Sequence, residues 1–257
     1  MKLQFEKFQA TGNDFVMVDN RDNFFPKDDQ PLVARLCDRK FGIGADGLIL
    51  VEHSNEADFK MVYYNADGGL GSFCGNGSRA ASRFAKSLGL IDKKGSLMAF
   101  DGLHELEIDS SVIKMAMTDV QFGRKTLNGT FIDTGSPHYV EYHNTIDSLD
   151  VFTEGRNLRQ HENFKPGGAN INFVEIINQS EIKVRTFERG VENETLSCGT
   201  GVTASALSSV TDFGNHSVRV TTPGGILEVT FEKTATDYTN IHLIGPAEMV
   251  FQGELEI

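Results

Sequence analysis

The sequence predicts an α/β protein of the α+β type, folded as two pseudo-symmetric domains. Three observations predict it. Short strand-like runs alternate with a few helical ones. Glycine-rich turns recur at a fixed spacing. A cysteine followed by Gly-x-Gly opens a helical run twice, at Cys74-Gly75-Asn76-Gly77 and at Cys198-Gly199-Thr200-Gly201. The 257 residues suffice for two domains of moderate size.

The elements follow in order. Lys2 to Phe8 alternates with the period of a strand, Thr11-Gly12-Asn13-Asp14 is turn chemistry, and Phe15 to Val18 is a second strand. Leu32 to Phe41 reads as a helix containing Cys37. Leu48 to Val51 and Phe59 to Tyr64 read as strands, the latter ending in the turn Asn65-Ala66-Asp67-Gly68. Arg79 to Leu88 reads as a helix closed by Gly89. Strands resume around Asp101-Gly102 and from Val112 to Met117.

Past residue 120 the pattern starts over. Thr134-Gly135 follows Thr11-Gly12, and Gly225 follows Gly102, by 123 residues; Ala169 follows Ala45, and Cys198 follows Cys74, by 124. Four landmarks in register point to an internal duplication. The domains are expected at 1–119 plus 246–257 and at 120–245.

The composition narrows the function. Hydrophobic content of 39% and charged content of 23% are those of a globular protein. A net charge of −12 without a basic cluster argues against nucleic acid as a partner. No apolar run reaches membrane-spanning length and no signal-like apolar core opens the chain, so no membrane partner and a cytoplasmic location are expected. Three cysteines without a C-x-x-C argue against a disulfide framework or a structural metal site.

Two of those cysteines carry the chemistry. A thiol where a loop enters a helix meets unpaired N–H groups and the positive end of the helix dipole, which favour a thiolate and a bound anion. Duplication would bring Cys74 and Cys198 to a cleft from opposite sides. One thiolate could then take a proton from the carbon beside a carboxylate while the other thiol returns one to the opposite face. Cys37, in an apolar helical run, reads as packing.

The motifs Thr11-Gly12-Asn13-Asp14-Phe15, Tyr64-Asn65-Ala66-Asp67-Gly68, Cys74-Gly75-Asn76-Gly77, Gly135-Ser136-Pro137-His138, Glu188-Arg189-Gly190 and Glu194-Thr195-Leu196-Ser197-Cys198-Gly199-Thr200-Gly201 together resemble the diaminopimelate epimerases, over essentially the whole chain. These are cofactor-independent amino-acid epimerases of lysine and peptidoglycan biosynthesis. The resemblance implies two domains, each a curled mixed sheet around a central helix, with the last strand returning to the first domain. It implies a homodimer, no cofactor and no metal. It implies Cys74 and Cys198 as the acid/base pair, assisted by His138 and Glu188. The amides of Gly75, Asn76, Gly199 and Thr200 would hold the reacting carboxylate. Asn13, Asn65, Asn170 and Arg189 would hold the distal end, with Glu188 at the substrate as well. Ser136 and Gly47 depart from the common asparagine and glutamine.

Other readings compete. Proline racemase-like enzymes also pair two cysteines, and phenazine-biosynthesis-like isomerases lack the first. Gly42-Ile43-Gly44-Ala45-Asp46-Gly47 fits the dinucleotide pattern G-x-G-x-x-G, but a helix precedes it and a strand follows, the reverse of what that fingerprint needs. A non-catalytic binding module would have no reason to retain both cysteines with His138, Glu188 and Arg189.

Overall fold

The computed structural model describes residues 2–257 and divides into two compact units. One holds residues through Met115 together with Gly245–Ile257, the other Ala116–Ile244. The changeover comes slightly before the expected residue 119 because Met117 N–H already donates to Ile241 O of the second unit, at 2.9 Å.

In the first unit, β1 (Lys2–Ala10) and β2 (Asn13–Asp19) form an antiparallel hairpin. Its two-residue loop has Thr11 at φ 49° and Gly12 at φ 84°, as a tight hairpin turn requires. A β-branched residue at positive φ is strained. Here the buried Arg79 guanidinium donates to Thr11 Oγ1 at 3.1 Å and holds it. Helix α1 (Gln30–Cys37) carries the chain to β3 (Gly47–Glu52), parallel to β2. Asp29 caps α1 by accepting from Leu32 N–H, and the helix ends at Cys37 rather than Phe41, because the Asp38 carboxylate accepts from Lys40 and Phe41 N–H and turns the chain. β4 (Phe59–Asn65) pairs antiparallel with β3. Helix α2 (Gly75–Ser87) leads to β5 (Lys94–Ala99), parallel to β4, and an antiparallel meander follows through β6 (Gly102–Asp109) and β7 (Val112–Ala116). The C-terminal strand Glu248–Glu256 lies antiparallel to β1.

The second unit repeats this plan after two short strands, β8 (Val120–Gln121) and β9 (Arg124–Thr126). β10 (Gly129–Asp133) and β11 (Pro137–His143) form the hairpin. Helix α3 (Val151–Arg159) crosses to β12 (Asn170–Asn178), parallel to β11 and antiparallel to β13 (Glu181–Glu188). A short β14 (Asn193–Thr195) precedes helix α4 (Gly199–Ser209). Then β15 (Gly214–Thr222) runs parallel to β13, followed by antiparallel β16 (Gly225–Lys233) and β17 (Asp237–Pro246). The turn glycines repeat too: Gly12 and Gly135, Gly44 and Gly168, and Gly102 and Gly225 all have positive φ.

Composition explains why α2 and α4 lie at the centres. From Gly75 through Ser82, and again from Gly199 through Leu207, every residue is buried. Nearly all are small, so a strongly curled sheet can close around the helix. Their hydroxyls would be costly if unpaired. Four of the five bond back one turn instead: Ser78 Oγ to Cys74 O, Ser82 Oγ to Ser78 O, Thr203 Oγ1 to Gly199 O and Ser205 Oγ to Gly201 O, at 2.7–3.0 Å. The fifth, Thr200 Oγ1, meets His138. In the second unit Val140, Val174 and Val184 pack inward with Val202 and Leu207 of α4. Strand alternation sends Tyr139, Ile171, Phe173 and Phe187 to the opposite face, where Val151 of α3 covers them. The first unit buries Val16, Val18, Leu48 and Leu50 against Val33 and Leu36 of α1 in the same way.

Gly42 to Asp46 lies between the end of α1 and β3, and Gly47 opens β3. That order excludes the dinucleotide turn, which needs a strand before the glycines and a helix after them.

Candidate active site

Both cysteines are helix N-caps. Cys74 sits at φ −125°, ψ 106° before α2, and Cys198 at φ −119°, ψ 111° before α4. Extended backbone at the cap turns the following N–H groups outward, and those of the first turn have no acceptor within the helix. Sequence periodicity places the start of this helix at Arg79, whereas α2 begins four residues earlier, at Gly75. Gly-Asn-Gly reads locally as a turn, and burial of the first turn overrides that preference.

In the first unit the Cys74 sulfur accepts from Gly77 N–H at 3.3 Å. Its thiol hydrogen points to Asn13 Oδ1, 3.8 Å away, which also accepts from Asn76 Nδ2 at 3.3 Å. Asn13 is held from behind. Its Nδ2 donates to Asp46 Oδ2 at 2.7 Å, and Arg39 bridges Asp46 to Asp14 through bonds of 2.7–3.0 Å, while Lys7 pairs with Asp14 at 2.7 Å. Burial pushes the Asp14 carboxyl up, but the hydrogen bonds and charges of Arg39 and Lys7 outweigh it and hold the group down at about 2. Beneath the cysteine loop, Arg79 is wholly buried and donates to Asn76 Oδ1 at 3.0 Å. Burial lowers it to about 10, so it remains a cation at neutral pH. Asn65 ends β4 in an exposed position opposite Gly47 in the β3–β4 register. The ring of Tyr63 and the carbonyl of Tyr64 fill the space that a side chain at Gly47 would need, which accounts for the glycine there.

In the second unit His138 and Asn170 stand side by side on the parallel strands β11 and β12, and His138 and Asn172 reach the start of α4. His138 is fully buried. Its Nε2 lies 2.9 Å from Thr200 Oγ1 and its Nδ1 3.2 Å from Asn172 Nδ2. Thr200 Oγ1 in turn lies 3.6 Å from the Cys198 sulfur. Burial, and then the positive charge of Arg189, push the imidazole down to about 3, so it is neutral at working pH. Asn170 Nδ2 donates to Ser136 Oγ at 3.0 Å and its Oδ1 accepts from Arg189 N–H at 2.8 Å. Glu188, at the end of β13, accepts from Thr195 Oγ1 at 2.9 Å.

The structure thus gathers Cys74, Asn76 and Asn13 in one unit. It gathers Cys198, Thr200, His138, Asn170 and Arg189 in the other. Sequence reasoning missed Arg79, Asn172 and Thr186. Arg79 read as one more residue of a helix. Asn172 and Thr186, which bond to each other at 3.0 Å, are polar residues in apolar strands, a signal that points to a buried polar site only once the inward face is known. Among the described residues no group of three or more His, Cys, Asp or Glu is arranged to hold a metal ion, and no helix is long and apolar enough to cross a membrane.

A diaminopimelate epimerase family model matches residues 5–122 and 130–250. The chain is 46% identical to the diaminopimelate epimerase of Flavobacterium psychrophilum over 98% of its own length and 99% of that protein's. It is 42% identical to the enzyme of that name from Chlorobaculum tepidum, over 96% and 99%. Among solved structures, a PhzF-family phenazine biosynthesis protein of Bacillus anthracis superposes with a TM-score of 0.75 at 18% identity, covering 100% of both chains. A hydroxyproline epimerase from Agrobacterium vitis gives 0.71 at 13%, covering 99% of this chain and 92% of that one. At those identities the likeness concerns the fold: two sheet-dominated α+β domains of one plan. A family match spanning both halves, with Cys74 and Cys198 at equivalent helix starts, leads to one conclusion: the chain belongs to the diaminopimelate epimerase family.

Proposed function

We propose that this chain interconverts LL-2,6-diaminopimelate and meso-diaminopimelate by proton transfer between two cysteines. The observation that carries the reading is the repeated cysteine N-cap, with the same backbone conformation at Cys74 and Cys198. A reaction that inverts a carbon needs a base on one face and an acid on the other, and a duplicated thiol supplies both.

One sulfur, as thiolate, takes the proton of the carbon beside a carboxylate. The electron pair of the broken C–H bond passes into that carboxylate. The second sulfur, as thiol, delivers its proton to the opposite face, and a new C–H bond forms with inverted configuration. Each turnover leaves the two sulfurs with exchanged protonation. The N–H groups of Gly75, Asn76, Gly199 and Thr200 stand in the first turns of α2 and α4. They receive the carboxylate as its charge grows, each donor worth about 3–4 kcal/mol in comparable oxyanion sites. At the distal end, Asn13, Asn65, Asn170 and Arg189 recognise the second amino-acid group, and the planar guanidinium suits its carboxylate. Glu188 assists at the substrate. His138, neutral and bonded to Thr200, acts on Cys198 through that hydroxyl. The family likeness extends the reading to a cytoplasmic homodimer working without a cofactor or metal.

The test is conversion of LL-diaminopimelate by purified protein stripped with a chelator and a carbonyl reagent. Meso-diaminopimelate should accumulate at an undiminished rate. A requirement for pyridoxal phosphate or a metal ion, or turnover of proline in preference to diaminopimelate, would overturn the reading.

A further inference from the structure

The polar chain behind Cys198 runs deeper than the family motifs reach. We infer that Asn172 is a positioning residue: it fixes the neutral His138 ring as the Nε2–H tautomer, which commits the Thr200 hydroxyl proton to the Cys198 sulfur and so stabilises the thiolate there.

The direction of every bond in the chain follows from one carbonyl. Asn172 presents the same amide atom to Tyr139 O and to His138 Nδ1, both at 3.2 Å. A backbone carbonyl only accepts, so that atom is the NH2 group. The amide oxygen faces the other way and accepts from Thr186 Oγ1 at 3.0 Å. Turning the amide over would set two acceptors against each other at Tyr139 O. His138 Nδ1 therefore meets a donor and carries no hydrogen. The ring is neutral, since burial and then Arg189 hold its basicity far down, so its single hydrogen is on Nε2. That N–H donates to Thr200 Oγ1 at 2.9 Å. With its oxygen accepting from the imidazole, the Thr200 hydroxyl directs its own hydrogen to the sulfur at 3.6 Å. A hydroxyl donor favours the charged form of its acceptor.

The surroundings are built for this chain. Thr200 is anchored a second time where Thr134 Oγ1 donates to its carbonyl at 2.9 Å. A side chain at position 201 would collide with Asn172 Oδ1 and press on His138 Cε1. The glycine lets the amide and the ring reach the start of α4. Asn172, His138 and Thr203 are all fully buried, and Thr186 nearly so. The charge that acts on the His138 ring is that of Arg189, and Glu188, the preceding residue, is bonded to Thr195.

The inference rests on the proposed acid/base role of Cys198, but its test needs no turnover and can fail on its own. Ring-nitrogen NMR of the unliganded protein should show His138, assigned by its absence from His138→Gln, as the Nε2–H tautomer. Asn172→Leu should mix the two tautomers. Iodoacetamide labelling at a fixed pH near neutrality, read at Cys198 by peptide mass spectrometry, should slow by about four- to fifteen-fold in Thr200→Val. That range allows for the strength of a hydrogen bond to a charged group and for the higher intrinsic nucleophilicity of a more basic thiolate. Thr200→Ser should label like the parent. An Nδ1–H tautomer in the parent protein, or equal Cys198 labelling in Thr200→Val and parent, would overturn the inference. Should Asn172→Leu fail to fold, the parent tautomer and the Thr200 pair decide alone.

Discussion

Acid should unfold this protein partly through one imidazole. His138 is fully buried and held down at about 3, whereas an unfolded histidine titrates near 6.5. Between those values the unfolded chain binds one proton that the folded chain refuses. Unfolding therefore becomes easier as pH falls: the stability due to the neutral ring is complete above about pH 6.5 and is lost progressively on the way down to about 3. Each pH unit is worth about 1.4 kcal/mol, so acidification from about 6.5 to about 4.5 should remove roughly 2–3 kcal/mol through this residue. Carboxylates add their own loss at the lower end, so the isolating comparison is His138→Gln. That variant should be less stable at neutral pH, because the amide cannot serve both Thr200 and Asn172 as the ring does. Its stability should nevertheless fall less steeply with acid, by close to one proton's slope. Urea unfolding at several pH values, followed by circular dichroism, measures this. Parallel stability–pH curves for the two proteins, or a His138 ring proton that titrates near pH 6.5 in the folded state, would refute the reasoning.

Further outcomes follow from other parts of the structure. Cys37 is buried and its thiol is pushed up to about 12 by burial, so it should resist alkylation at neutral pH until the protein unfolds; Cys37→Ala should cost only about 1 kcal/mol and leave turnover intact. Gly201→Ala should lose roughly 1–3 kcal/mol by overpacking Asn172 and should perturb His138, seen as a lower urea midpoint and a shifted ring resonance. Asp14, held down at about 2, contributes about 2 kcal/mol that is present above pH 3.8 and lost as pH falls toward 2. Asp14→Asn should show that loss at neutral pH, together with a raised KM, because Arg39 and Asp46 no longer hold Asn13 in place.

Much of this architecture is legible in the sequence. Cys74 and Cys198 announce themselves by identical glycine spacing, and glycines with positive φ at Gly12 and Gly135 mark equivalent hairpins. What stays hidden depends on register and burial. Asn172 looks like any polar residue in a strand until parallel pairing sets β12 beside β11 and brings its amide to His138. Arg79 reads as a solvated helix residue, yet it lies at the centre of its unit, because α2 is enclosed by the sheet and the Thr11 turn needs a donor. Helix α3 escapes periodicity altogether: of its nine residues only Val151 and Gly155 are buried, too few to write an apolar stripe.

The central claim is that two sulfurs, not one, handle the proton. It is tested by the early course of the reaction in heavy water, starting from unlabelled LL-diaminopimelate. With separate bases on the two faces, meso product should carry one deuterium at the inverted carbon from the first turnovers, while recovered LL substrate remains unlabelled. Cys74→Ala and Cys198→Ala should each abolish inversion. Product that keeps the original hydrogen, or a Cys198→Ala enzyme that still epimerises near the parent rate, would contradict it.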